Sequence, residues 1–224
     1  MGSVMGHNDS QVGRGDSTAT PTLQFVICPI GYREAKTWVE NWHYSRRMPT
    51  GKNLCYGLYE GENLYAVIVY GIGVNPYQAA FLGVKTVLEI KRMCRSEPPR
   101  SYPLSRFIAL SAKMVQGVFS HECLVAFADP EHGHEGTVYK ASGFELRGMT
   151  AAEWHLKGRD GVLRHRRYAF RHARRHGQSL EQSRKDLGLV RVKTLPKYRW
   201  VRLGAGTKRA YDKGSCKIDP ETTQ

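Results

Sequence analysis

The sequence predicts an α/β fold, in which helices pack on a mixed sheet and a basic segment follows. Short apolar runs alternate with segments of helical spacing and give the order β-α-β-β-β-α-β-α-β-β. Strand–helix–strand units imply right-handed crossovers, so at least one pair of strands is parallel. Residues 157–217 hold 19 Lys+Arg against 4 Asp+Glu, whereas residues 1–156 hold 15 against 14. This distribution indicates a near-neutral body with a polyanion-binding extension.

The first half of the chain contributes four strands and one helix. Residues 1–20 are rich in Gly, Ser, Asp and Asn without periodicity, and we expect them to be disordered. Ala35, Val39 and Trp42 fall at helical spacing and predict a helix after the first strand. The predicted elements are, in order, a strand at 23–30, a helix at 32–43, a hairpin of 56–59 with 64–71, a glycine-broken loop at 71–80 and a strand at 86–94.

The strand at 123–128 is the best-defined element of the second half. Its unbroken apolar run is too short for a helix, so the pattern predicts a strand that is buried on both faces. Asp129-Pro130 ends this strand because proline cannot donate to a ladder. The other predicted elements are a helix at 104–119, a helix at 137–142 ended by Gly143, strands at 144–150 and 163–170, a basic run at 171–176 and a helix at 179–187 capped by Ser179.

The composition excludes several classes of protein. No apolar run approaches the roughly 20 residues that span a bilayer, and the N-terminus lacks the apolar core of a signal peptide. Five cysteines without a C-x-x-C pair favour reduced, buried thiols over a disulfide framework. We therefore expect a soluble, cytoplasmic protein that has no membrane partner.

A strand, a basic loop and a helix N-terminus meet near residue 100. The helix N-terminus offers unpaired N–H groups and the positive end of the helix dipole, which together favour phosphate binding. Any one of the nearby arginines could be a solvated surface residue, but their concentration favours an anion site. The junction resembles the pyrophosphate loop of the GNAT acetyltransferases, although a proline-containing run replaces the usual glycines. The residues around it are Arg92, Arg95, Arg100, Ser105 and Arg106.

Two residues after the central strand have the spacing of catalytic groups. The run from Tyr139 to Phe144 is similar to the Tyr-x-x-x-Gly-Phe ending of the same acetyltransferases. The resemblance implies that the tyrosine hydroxyl protonates the departing CoA thiolate; the alternative is a tyrosine that only packs. Asp129 follows a buried strand, at the end where the sites of α/β proteins form; the alternative is a loop or capping aspartate.

Histidine and carboxylate side chains crowd the segment around the central strand. Their density suits Fe(II) or Zn(II), yet no established metal-binding spacing appears. The metal ligands therefore stay unassigned. The residues concerned are His121, Glu122, Glu131, His132, His134 and Glu135.

An ordered set of motifs lies between about residues 25 and 202. The motifs are Gly31-Tyr32-Arg33-Glu34-Ala35, His43-Tyr44-Ser45, Lys91-Arg92-Met93, Ser105-Arg106, Ala126-Phe127-Ala128-Asp129, the run 136–142 and Pro196-Lys197-Tyr198-Arg199-Trp200. Together they are similar to the Mom family of bacteriophage proteins. The resemblance implies a GNAT-like mixed, mostly antiparallel sheet with flanking helices and a basic C-terminal extension. It also implies transfer of an acyl-derived carbamoylmethyl (acetamido) group to N6 of adenine in double-stranded DNA, which protects phage DNA from restriction.

The same resemblance assigns roles to single residues. Tyr44 and Asp129 are expected near the reacting amine, and Tyr139 is expected to be the acid. An Fe(II) requirement is implied without an identifiable ligand. The expected catalytic residues are His43, Tyr44, Asp129 and Tyr139. The residues expected to bind acetyl-CoA or a related acyl-CoA are Arg92, Met93, Ser105 and Arg106.

The chemistry of adenine adds expectations about the DNA. N6 is a weak nucleophile because its lone pair is delocalised into the ring, so it needs a base and a closely held electrophile. It is also buried in the duplex, so we expect the base to flip out and stack on aromatic side chains. Candidates for that pocket are His43, Tyr44, Tyr77 and Trp154, each of which could instead be an ordinary core or surface residue. The expected phosphate contacts are Arg166, Arg167, Arg171, Arg174, Arg175, Lys197, Arg199 and Arg202.

The expected organisation has three parts: a disordered N-terminus at 1–20, a GNAT-like catalytic domain at 21–176 and a basic DNA-binding extension at 177–224. Two alternatives stay open. One is a GNAT enzyme that acts on a small-molecule or protein amine, and the other is a non-catalytic nucleic-acid binder on a GNAT scaffold. The charge of the tail argues against the first, and Asp129 and Tyr139 argue against the second. The oligomeric state stays open, with a dimer among the options.

Overall fold

The computed structural model describes residues 25–73, 75–96, 103–119 and 122–204, together with residue 207. The strands are β1 Phe25–Pro29, β2 Asn53–Glu60, β3 Asn63–Gly71, β4 Val87–Arg95, β5 Cys123–Ala128, β6 Glu145–Met149, β7 Trp154–Lys157, β8 Leu163–His165, β9 Val190–Lys193 and β10 Tyr198–Leu203. The helices are α1 Tyr32–Trp42, α2 Gln78–Phe81, α3 Leu104–Phe119, α4 Thr137–Ala141, α5 Arg167–His176 and α6 Leu180–Asp186.

Seven strands form the main sheet in the order β1-β2-β3-β4-β5-β10-β6. Only β4 and β5 pair in parallel; the other neighbours in this sheet are antiparallel. The parallel pair arises because α3 carries the chain back across the sheet between these two strands. The predicted mixed, mostly antiparallel sheet with flanking helices is therefore confirmed.

The two faces of the main sheet are covered by different helices. On one face, α3 buries Phe107, Ile108 and Val115 fully against the strands. On the other face, α1 buries Ala35 and Val39. Strand β5 is covered on both sides, which explains its unbroken apolar sequence.

Strands β4 and β5 separate towards their carboxyl ends. Their pairing runs only from Val87 and Cys123 to Ile90 and Ala126, although β4 continues to Arg95. The register of β4 against β3 shifts at the same level, which indicates a bulge. The sheet thus has an opening at this end, and the candidate site lies next to it.

Residues 150–197 form an insertion between β6 and β10, which are neighbours in the main sheet. The insertion contains the three-stranded sheet β8-β7-β9 with helices α5 and α6. Leu156, Ala169 and Leu189 form its own small core. It holds 13 Lys+Arg against 4 Asp+Glu, so much of the excess charge of the chain lies here.

Three sequence predictions differ from this architecture. The strand expected at 163–170 ends at His165, and α5 begins at Arg167 because Ala169 and Ala173, four residues apart, bury one helical face. The loop expected at 71–80 includes the start of α2. Strands β7, β9 and β10 are absent from the predicted strands; the four residues of β9, for example, carry little apolar pattern.

The expected boundary between 176 and 177 does not separate a body from a tail. It falls inside the insertion, and β10, which lies beyond it, belongs to the centre of the main sheet. The disorder expected for residues 1–20 lies outside the described residues. No helix in the described part of the chain is both long and apolar enough to cross a membrane.

Candidate active site

Asp129 and Lys197 form an ion pair at the end of β5. Lys197 Nζ lies 2.8 Å from Asp129 Oδ2, and the Glu131 N–H donates to Asp129 Oδ1 at 3.2 Å. The aspartate is buried. Because Tyr198 of β10 lies opposite Ala128 of β5, the residues just outside these two positions face each other. Lys197 was expected to contact DNA phosphate, but the structure assigns it to this site.

Tyr44 packs against two histidines next to this ion pair. Its ring centroid lies 4.2 Å from that of His43 and 4.1 Å from that of His132, with His134 at 5.9 Å. His132 and His134 belong to the turn that follows Asp129, which brings them to the end of α1. Tyr44 is 50% exposed, so an incoming planar group can reach this aromatic stack.

His43 is neutral in this environment. Burial, together with smaller effects of the nearby Arg92, His134 and His132, lowers its pKa to about 3. The Ser45 N–H donates to His43 Nδ1 at 3.0 Å, so Nδ1 is an acceptor and the proton sits on Nε2. With its acceptor nitrogen bonded to Ser45, this imidazole packs against the Tyr44 ring.

Arg92 lies on the β4 side of the same cluster. Its Nε donates to the Arg47 carbonyl at 3.1 Å, and its Nη1 donates to the Lys91 carbonyl at 2.5 Å. Burial lowers the pKa of this guanidinium, while the neighbouring Tyr44 and Glu89 raise it. The residue was expected to hold the acyl carrier, and the structure brings it to Tyr44.

Glu89 is a member of the site that sequence analysis missed. Burial raises its pKa, against the effect of Lys91, Arg92 and Lys197. Its carboxylate packs on Gly73, where an added Cβ would lie 2.5 Å from Glu89 Oε2. A signal was present in the sequence, since Glu89 stands between the apolar Leu88 and Ile90 in a strand.

Tyr139 lies in α4, buried beneath the cluster. Its ring centroid lies 5.8 Å from that of Phe144, and Gly143 adopts φ +80° between them, as the motif requires. Burial raises the Tyr139 pKa, and the proximity of Tyr44 and Glu89 adds to the rise. The hydroxyl therefore keeps its proton and can donate it.

The other residues expected to bind an acyl carrier lie at the start of α3. The Ser105 carbonyl accepts from Ser142 Oγ at 3.0 Å, and the exposed Arg106 donates its N–H to the Pro103 carbonyl at 3.0 Å. Met93 is partly buried against the main core, so it supplies packing rather than a polar contact. Arg100 lies outside the described residues.

The arginines expected to bind DNA fall into two groups. Five of them are exposed on or beside α5, and no carboxylate in the described part of the chain forms an ion pair with them. Arg199 and Arg202 differ, because burial lowers their pKa and their Nη1 groups donate to backbone carbonyls of the body. These two act in packing. The exposed group is Arg166, Arg167, Arg171, Arg174 and Arg175.

The remaining predicted groups do not join the cluster. Tyr77 is 76% exposed beside α2, and Trp154 lies in the insertion under the guanidinium of Arg191. Among the described residues, no three His, Cys, Asp or Glu side chains are grouped to hold a metal, so the Fe(II) expectation gains no support. His121 lies outside them.

The fold places the protein in a known structural class. It is similar to a chimeric spermidine N-acetyltransferase SpeG from Vibrio cholerae and hSSAT, with 9% identity, a TM-score of 0.50 and coverage of 83% of this chain and 99% of that chain. A Vibrio cholerae spermidine N-acetyltransferase in complex with CoA and spermine has 9% identity, a TM-score of 0.48 and coverage of 80% and 95%. The fold is therefore similar to that of the chimeric spermidine N-acetyltransferase.

Within this class the chain belongs to the Mom protein family, whose sequence pattern matches residues 24–218. The methylcarbamoylase mom of Escherichia phage Mu is 32% identical to it over 120 residues. The matched region is 51% of this chain and 49% of the phage Mu protein, so the chain spans about half the length of this curated relative.

Proposed function

We propose that this protein is a transferase that places an acyl-derived carbamoylmethyl (acetamido) group on N6 of adenine in double-stranded DNA, and so protects the DNA from restriction in the host cytoplasm. The observation that carries the proposal is the Asp129–Lys197 pair beside the half-exposed ring of Tyr44, in a chain of the Mom family. The name of the phage Mu relative, methylcarbamoylase, supports the nature of the transferred group.

Recognition of the adenine begins with the aromatic stack. A flipped base costs a few kcal/mol to unpair and unstack, and stacking on an aromatic side chain returns about 1–3 kcal/mol. Tyr44 is half exposed and already held in place by His43 and His132, so little side-chain freedom is lost on binding.

Proton removal from N6 falls to Asp129. Its carboxylate is buried and held by Lys197, which keeps an anionic acceptor at the edge of the Tyr44 stack. As the bond from N6 to the acyl carbon forms, N6 must lose a proton, and Asp129 accepts it. The raised pKa of Glu89, caused by burial, makes that carboxylate the second acceptor in the same cluster.

The opening between β4 and β5 suits an extended acyl-CoA. Beyond Ile90 and Ala126 the two strands no longer pair, so backbone groups on their facing edges are available to an amide-containing chain. The N-terminus of α3, with Ser105 and Arg106, would hold a pyrophosphate near that opening. Acyl-CoA would supply an activated acyl carbon.

Tyr139 serves as the acid. Its hydroxyl stays protonated at neutral pH because it is buried, and it can give that proton to a leaving thiolate. Acetyl transfer alone leaves an N6-acetyl group. A carbamoylmethyl group is joined to N6 through its CH2 carbon and carries an amide nitrogen on its carbonyl carbon. Beyond acyl transfer, the complete reaction therefore requires a shift of the N6 bond from the carbonyl to the methyl carbon, a nitrogen donor and a two-electron oxidant.

Mass spectrometry of nucleosides tests the proposal. DNA from cells that express the protein should contain a modified deoxyadenosine, and DNA from cells that express Asp129→Asn should not. Glu131→Gln is the matched control, because it removes a neighbouring carboxylate and should keep the product. Unmodified DNA together with an acetylated small-molecule or protein amine would instead establish the alternative GNAT activity.

A further inference from the structure

The insertion contains a pocket of about 560 Å³ that is distinct from the Tyr44–Asp129 cluster. Its volume lies within the range of ligand pockets in proteins. It is bounded by β7, β8, β9 and α6. Its lining includes Trp154, His165, Arg166, Leu180, Arg184 and Arg191.

One wall of the pocket is an aromatic stacking platform. Trp154 is 51% exposed although it belongs to a strand, and the guanidinium of Arg191 lies 4.6 Å from the centre of its ring. Indole and guanidinium planes both stack on nucleic-acid bases without strong sequence preference. This pair therefore offers a planar apolar surface that already carries positive charge.

The charge of the lining favours an anion. Three arginines, Arg166, Arg184 and Arg191, face one carboxylate, that of Glu153. Guanidinium groups match phosphate geometry and bind it through paired hydrogen bonds. Stacking surface and phosphate-binding groups within one pocket are the combination that a nucleotide requires.

The pocket wall is tied to the candidate active site. The Glu153 carbonyl accepts from the Thr194 N–H at 2.8 Å and from Thr194 Oγ1 at 3.0 Å. In the same segment, the Leu195 N–H donates to Glu131 Oε1 at 2.9 Å, and Lys197 reaches Asp129. The chain therefore passes from the pocket to the active site within four residues.

We propose that this pocket binds one nucleotide of the DNA strand that carries the target adenine, with its base on Trp154 and its phosphate on Arg184 and Arg191. That the nucleotide belongs to the modified DNA strand rests on the proposed function. That the ligand is a nucleotide rests on the residues of the pocket alone. Binding here would fix the base beside the target and so contribute to the sequence context that is modified.

Fluorescence anisotropy with a short labelled single-stranded oligonucleotide tests the pocket without any group transfer. Trp154→Ala should weaken binding by about tenfold, while Trp154→Phe, which keeps a stacking ring, should stay within about threefold of wild type. Trp42→Ala is the matched control, because Trp42 is similarly exposed but lies on α1.

A second pair of variants tests the phosphate contact on one helix. Arg184→Gln should weaken binding several-fold, whereas Lys185→Gln, which removes the same charge from an adjacent residue that does not line the pocket, should have a smaller effect. Deoxyadenosine monophosphate should compete with the oligonucleotide at lower concentration than inorganic phosphate does.

Equal effects of Trp154→Ala and Trp42→Ala, or equal competition by phosphate and nucleotide, would overturn the pocket assignment. If the proposed function is wrong but the pocket is not, DNA from expressing cells stays unmodified while Trp154→Ala still weakens oligonucleotide binding. Thermal unfolding of each variant identifies any loss of fold. If Trp154→Ala does not fold, the comparison of Arg184→Gln with Lys185→Gln and the binding of Trp154→Phe still test the pocket.

Discussion

In the insertion, the arginines along α5 are exposed and have no carboxylate partner among the described residues, whereas the basic side chains around β10 are partly buried and bonded to the body. Both regions have similar compositions, and both were expected to bind DNA. Burial separates them, because a desolvated guanidinium or ammonium needs local partners and is then unavailable to phosphate. Lys197 accordingly pairs with Asp129, and Arg202 donates to carbonyls of Ala109 in α3 and of Ser142 just after α4.

Removal of the Tyr139 hydroxyl should have the largest effect. Tyr139→Phe leaves a packed ring but no acid, so the rate of adenine modification should fall by about 10²–10⁴-fold while DNA affinity stays unchanged. Tyr70→Phe is the control: it removes another buried hydroxyl, whose hydrogen-bond partner is Ser111. It should lower stability by about 1 kcal/mol and keep the activity. Wild-type modification by Tyr139→Phe would exclude this residue from the chemistry.

Lys197→Met tests whether the basic residue that precedes β10 acts in catalysis. Without the ammonium, the buried Asp129 carboxylate loses its charge partner. The rate at neutral pH should fall by roughly 10–100-fold, while DNA affinity stays near that of wild type. Lys193→Met, on exposed β9, should keep the rate. A fall in DNA affinity with an unchanged rate at saturating DNA would return Lys197 to the DNA surface.

Arg171→Gln and Arg202→Gln compare the two regions directly. Arg171→Gln should reduce DNA affinity several-fold and lower the salt slope by about 0.9, as expected for one lost phosphate contact. Arg202→Gln should leave the slope unchanged but destabilise the fold by about 1.5–3 kcal/mol, because two carbonyls lose a charged donor. Both effects are measured by salt-dependent DNA binding and thermal unfolding of the two variants. A lower salt slope for Arg202→Gln and a lower stability for Arg171→Gln would show that Arg202, not Arg171, contacts the DNA.

Glu89→Gln should produce the smallest effect, a gain in stability that depends on pH. Since burial raises the pKa of Glu89, its ionised form is disfavoured in the folded protein. Ionisation of Glu89 therefore destabilises the folded protein. This destabilisation is absent below the unfolded-state pKa and complete above the raised folded-state pKa. The variant should therefore melt about 2 °C higher than wild type at pH 8 and equally at pH 4. The exposed Glu62→Gln should show no such difference, and equal melting of Glu89→Gln and wild type at both pH values would contradict the burial effect.

The sequence predicted correctly the elements whose formation depends on residues close together in the chain. The apolar run of β5, the periodicity of α3 and the cap of α6, where Ser179 accepts from the Gln182 N–H, all have the expected positions. Strand β10 could not be assigned from its own residues, because its place between β5 and β6 depends on pairing with strands that are distant in the sequence. Its central position decides the roles of Lys197, Arg199 and Arg202.

The candidate site likewise combines residues that the sequence identifies with contacts that only the fold forms. Asp129 and Tyr139 carry motif signals along the chain, and His43-Tyr44 was identified through its resemblance to a family. The contacts that give these residues their chemistry are formed across the fold, as in the stack of Tyr44 on His132 and the proximity of Glu89 to Tyr139. Glu89 belongs to no motif; its place between two apolar strand residues is a weak signal in the sequence, and the fold brings it to the other site residues.

The division of roles between the insertion and the main sheet is tested most directly by the single-turnover rate of adenine modification. The rate is measured at low salt, with the enzyme in excess over DNA and at a concentration that saturates the DNA. Arg171→Gln/Arg174→Gln should reach the wild-type rate once saturation compensates for weak binding, because α5 only holds the duplex. Asp129→Asn should stay slow at every enzyme concentration. A double arginine variant that remains slow at saturation, together with an Asp129→Asn variant near the wild-type rate, would contradict the division between a DNA-binding insertion and a catalytic main sheet.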